Sequence, residues 1–129
     1  MAQQNQATGA AANRYGRQCA QRIAQAIGAQ MVRPGSNEIV YNGQREVIKC
    51  AHANTTKVGV SHLMLQHLNA VLGAFEISPR LYRLVHLSAA DYSANMTPTR
   101  STGPSANRVG IVEREVFNRM GHFMRNVRV

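Results

Sequence analysis

The sequence predicts a single α/β (α+β) domain, a central mixed sheet flanked by helices in the order α-β-β-α-β with a helical C-terminal part. Three observations carry this. A chain of 129 residues has the length for one hydrophobic core. Two β-branched-rich runs, Glu38 to Tyr41 and Glu46 to Ala51, flank Asn42-Gly43, the dipeptide best able to take the left-handed backbone of a tight hairpin. Apolar residues then recur at helical spacing on both sides of that hairpin.

Residues 1–12 are mostly Gln, Asn, Ala and Gly without periodicity and read as a loosely ordered tail before a domain spanning 13–129. Asn13 caps a first helix, in which Cys19, Ile23, Ala26 and Ile27 form the apolar stripe and Arg14, Arg17, Gln18 and Arg22 the wet face. Gly28 ends it, and Pro34-Gly35 turn the chain into the hairpin. "AHANTTKVGV" reads as a polar loop. Ser61 caps a second helix with Met64, Leu68, Val71, Leu72 and Phe75 on one stripe. Arg80 to Leu87 is apolar on both alternating faces, the mark of an internal strand. Ser88 and Asp91 make a capping box for a short helix reaching Met96. Thr97 to Arg108, rich in Pro and hydroxyls, reads as a long loop. Val109 to Val112 is a short strand, and Val116, Phe117, Met120 and Met124 mark a last helix weakened by Gly121.

The charge balance narrows the partner. Fifteen Lys and Arg face six acids, and thirteen of the fifteen are Arg, whose planar fork suits phosphates and base edges. Nucleic acid is the expected partner, DNA over RNA; a small basic interaction protein for RNA or an acidic protein is the alternative. No apolar run has the roughly 20 residues a membrane crossing needs, so no membrane partner is expected and a cytoplasmic location is. Cys19 and Cys50 read as small buried apolar residues, unbridged. His62 and His67 fall on different sides of a helix, which argues against zinc, and no Gly-rich phosphate loop or catalytic triad is present.

Lys49 is the residue out of place. Side chains alternate along a strand, so Lys49 shares a face with Val47 and Ala51, opposite Glu46, Ile48 and Cys50. Its stem can pack on the sheet while the amine reaches the edge. A helix, "GSNE", a hairpin, a strand with hydrophobic-Lys, then helix and strand resemble the core of the PD-(D/E)xK nuclease superfamily, which includes restriction endonucleases and Holliday-junction resolvases. The resemblance spans roughly Asn13 to Leu87 and rests on topology and one short motif.

It implies a restriction-endonuclease-like core in which Glu38 matches the first acid, a metal ligand, and Lys49 matches the lysine that positions the attacking water. Two residues before Lys49, where the second acid belongs, stands Val47; Glu46, beside it, is the substitute ligand the sequence offers. The implied function is therefore a DNA-binding protein with a reduced or unorthodox active site. The alternative is a Mg²⁺-dependent endodeoxyribonuclease using Glu38 and Lys49. Asn54, Thr55, Thr56, Lys57, Arg100, Ser101 and Arg108 carry the groups that bond DNA backbones, and a homodimer would suit two-fold DNA.

Overall fold

In the computed structural model, which describes residues 6–98 and 108–129, helix α1 (Gln6–Ile27) precedes a hairpin of β2 (Glu38–Tyr41) and β3 (Gln44–Ala51). A two-residue strand β1 (Gln30–Met31) lies outside β2. The chain then forms β4 (Lys57–Ser61), α2 (His62–Leu65), β5 (Ala70–Ser78), β6 (Leu81–Ser88) and α3 (Ala89–Asn95). It closes with β7 (Thr97–Pro98), β8 (Val109–Glu113), α4 (Arg114–Met120) and β9 (His122–Arg128). The result is an α+β domain whose central mixed sheet has the order β1-β2-β3-β5-β6-β9, with only β3 and β5 parallel. A smaller sheet, β4-β8-β7, lies apart from it.

Strand parity divides the interior into two cores. Val47, Ala51, Val71, Phe75, Val85 and Leu87 face β4, β8 and the short helices, where Leu65, Tyr92 and Phe117 complete the packing. Ile39, Ile48, Leu72, Ala74, Tyr82 and Leu84 face α1 through Cys19, Ala20, Ile23 and Ala24. The hairpin forms as expected: Asn42 and Gly43 both have positive φ, 51° and 77°, the twist that suits a two-residue connection. β6 and the Ser88-capped α3 also match expectation, Ser88 Oγ accepting from Asp91 N at 3.0 Å.

Other expectations need correction. The helix expected from Ser61 to Phe75 is only the single turn α2, with Ser61 as its cap as foreseen. Ala70 onward is β5, buried on both faces between β3 and β6. "AVLGAF" is apolar at every position, so it satisfies a helical stripe and a buried strand equally, and pairing on both sides decides. α1 begins at Gln6, ahead of Asn13, because Ala7, Ala10, Ala11 and Ala12 are the best of helix formers. "KVGVS" is a strand inside the expected loop. The C-terminal part is not mainly helical: α4 stops at Gly121, where an added methyl would lie 2.5 Å from Phe117 O and 2.7 Å from His86 O, and β9 follows.

Tyr92 ties the small sheet to the main core. Its buried hydroxyl lies 3.0 Å from Val58 O and 2.8 Å from Gly110 O, so it donates to the backbone of β4 or β8. Tyr92→Phe should destabilise the protein by about 1–2 kcal/mol in urea unfolding, since the one buried O–H that these two carbonyls share is lost. A loss near zero would mean that the two strands hold together without it.

Candidate nucleic-acid interface

The register of the hairpin builds the site. Glu38 pairs with Val47, so β3 runs on past the start of β2, and Ile48 N is taken up by Asn37 O at 2.9 Å. Paired residues of an antiparallel ladder share a face, as do alternate residues of one strand, so Glu38, Val47 and Lys49 lie together. Diagonal neighbours of this kind stand about 7–8 Å apart. The overhanging end of β3, the loop before β2, the α1 residues Gly16 and Arg17, and the start of β4 enclose a cleft of about 560 Å³.

Its wall is strongly basic. Arg17, Arg33, Lys49 and Lys57 line it against one carboxylate, Glu38. That carboxylate is already occupied: Arg45 donates to Oε2 at 2.5 Å and His67 Nε2 lies 3.3 Å from Oε1. The Arg45 guanidinium, helped by His67, holds the Glu38 carboxyl below the usual carboxylate range against the opposing effect of burial. Lys49 has no ion-pair partner among the described residues, and burial pulls its ammonium below the ordinary lysine value. A cation held in this way gains most from an anion that arrives from outside.

Other sequence-predicted residues separate into groups. Lys57 lines the cleft, and Asn54, Thr55 and Thr56 form the turn leading into it, with Thr55 N bonded to His52 O at 2.9 Å. Arg114 braces that turn, donating to Ala53 O at 3.0 Å and His52 O at 3.2 Å. Arg108 is exposed at the start of β8, where its carbonyl accepts from His62 N. Arg100 and Ser101 lie outside the described residues. Glu46 does not join Glu38: it pairs with Ile39 on the opposite face and is buried against His86 Nε2 at 2.9 Å, beside a second cleft of about 310 Å³. Val47 is fully buried in the core, so the position for a second acid holds packing instead.

The sequence reading missed Arg17, Arg33, Arg45 and His67 as members of the site. Arg45 had a signal, because Arg45 and Val47 alternate on the face that Glu38 shares. Arg17 and Arg33 had none, since a helix and a loop carry them there. Among the described residues no group of three or more His, Cys, Asp or Glu is placed to hold a metal ion, and no helix is long and apolar enough to cross a membrane. No protein-family model, curated protein or solved structure matches the chain.

Proposed function

We propose that the protein binds DNA through this cleft, on a restriction-endonuclease-like core whose active site is reduced. The observation that carries the reading is the meeting of Glu38 and Lys49 in one cleft with Arg17, Arg33 and Lys57. The element order supports it further: a helix, a hairpin, and a lysine strand whose next neighbour in the sheet, β5, is parallel. Four cations against one neutralised carboxylate make a wall for phosphate oxygens, and Asn54, Thr55 and Thr56, which precede Lys57 in the chain, carry an amide and hydroxyls of the kind that bond DNA backbones.

The donor set does not suit a divalent cation. Mg²⁺ takes carboxylate oxygens, and the one carboxylate here is bonded to Arg45 and His67 while Val47 fills the second position. Binding without cleavage follows.

Anisotropy titrations of duplex DNA over a salt series test this. Each phosphate neutralised contributes about −0.9 to the slope of log K against log salt, so the triple variant R17Q/R33Q/K57Q should flatten the slope by about 2.7. An unchanged slope would move the interface elsewhere, and tighter binding of RNA of equal length would favour the interaction-protein alternative. Nicking of supercoiled DNA in Mg²⁺, abolished by Lys49→Ala, would replace the binding-only reading with the nuclease one.

A further inference from the structure

α1 and β3 run past each other in matched steps. Tyr15 stacks on His52 with ring centroids 3.9 Å apart and planes 20° from parallel. One helical turn on from Tyr15 stands Cys19, and two residues back from His52 stands Cys50; another such step brings Ile23 and Ile48 into the same core. Four residues of helix advance about 6 Å and two residues of strand about 6.6 Å, so the two rows keep pace and Cys19 falls beside Cys50. Both thiols are free, and Cys19 and Cys50 pack in the same core cluster. Ala20 and Ala24, both buried, are small enough to let the helix approach the sheet closely. Cys19 is buried, whereas Cys50 also lines the basic cleft, which gives a small solute a route to the pair.

We propose that Cys19 and Cys50 form a redox modification site, a spatially adjacent dithiol that a peroxide closes to a disulfide, fastening α1 to β3. The two sulfurs have different roles. The neighbouring Cys50 holds the Cys19 thiol below its ordinary range, while Cys19 pushes the Cys50 thiol well above it, burial adding to the latter. Cys19 is therefore the nucleophile. Its thiolate attacks one oxygen of hydrogen peroxide, the O–O bond breaks, and the departing hydroxide takes up a proton as water, leaving Cys19 as a sulfenic acid. The Cys50 sulfur then attacks the Cys19 sulfur, the S–O bond breaks, and the hydroxide leaves with the Cys50 proton. In sum two thiols and one peroxide give one disulfide and two waters, with both sulfurs oxidised and both peroxide oxygens reduced.

The site is tested on the full chain without nucleic acid, so its outcome is independent of the DNA-binding reading. Wild-type protein treated with about one equivalent of peroxide should lose both thiols to a maleimide count after unfolding. Its intact mass should fall by two hydrogens, and the Cys19 and Cys50 peptides should become linked within one chain. Closing this loop should raise the thermal midpoint by roughly 10 °C, reversed by a reductant. Cys50→Ser should instead stop at a Cys19 sulfenic acid that dimedone traps, without the rise. Retention of both thiols by wild type in about tenfold excess peroxide, oxygen addition without a link, or a link only between chains would each overturn the proposal.

Discussion

Lys49→Met should weaken DNA binding at least tenfold and, at the same time, raise stability by about 1 kcal/mol, or roughly 4 °C in the thermal midpoint. The two effects have one cause. Lys49 stands between Val47 and Ala51, with no ion-pair partner among the described residues. Methionine keeps most of the stem's packing and discards the half-buried charge. Burial holds the ammonium below the ordinary lysine value of 10.5, so the unfolded chain binds that proton more tightly than the native protein does. Wild-type stability should therefore climb as pH rises towards 10.5 and level off above it. Lys49→Met should lose that climb, which urea unfolding at neutral pH and just below 10.5 would measure. A stabilised variant with unchanged affinity would make Lys49 a packing residue and remove it from the interface.

Glu38→Gln should act in the opposite sense on both quantities. The side chain is 9% exposed and accepts from Arg45, so replacing the carboxylate should cost about 2 kcal/mol at neutral pH. The carboxyl titrates below its ordinary 4.5 in the folded protein, so its contribution is fully present above that value. It is lost as pH falls through the folded pKa. Wild type and variant should thus differ at neutral pH and converge in acid. Because Glu38 is the one acid on the cleft wall, its removal should also tighten DNA binding about three- to tenfold. Weaker binding by Glu38→Gln at neutral pH would mean that the carboxylate positions a contact instead of opposing the phosphates.

What the sequence disclosed was whatever depends on neighbours along the chain. Asn42-Gly43 specified its turn through φ alone, Ser88 its helix through one hydroxyl, and strand parity placed Lys49 on the face of Glu38 once the hairpin register was set. β5 was misread because a run apolar at every position carries no period of its own. β9 was missed for a related reason: in "HFMRNVR" only Val127 is buried, so an edge strand held by pairing to β6 shows little apolar alternation. The basic cleft was half legible. Its hairpin half follows from local rules, while Arg17 and Arg33 arrive by tertiary packing. The facing of Cys19 and Cys50 likewise depends on how α1 lies on β3.

The central sheet also imposes an order of assembly. β5 and β6 are joined by a short turn and can pair at once, but the outer partner of β6 comes much later in the chain: Leu81 must wait for Arg128, and His86 for His122. Until β9 arrives, β6 presents a bare row of backbone donors and acceptors beside the apolar side chains Tyr82 and Leu84, a template for pairing with another molecule. Docking β9 closes that row and brings Arg125 onto Ala26 O at 2.6 Å, at the C-terminal end of α1. Pairing with β9 thus moves the open edge of the sheet onto a strand that carries Arg125, Asn126 and Arg128, charged and polar side chains that disfavour further pairing, and damage to it should appear first as lost yield of folded protein.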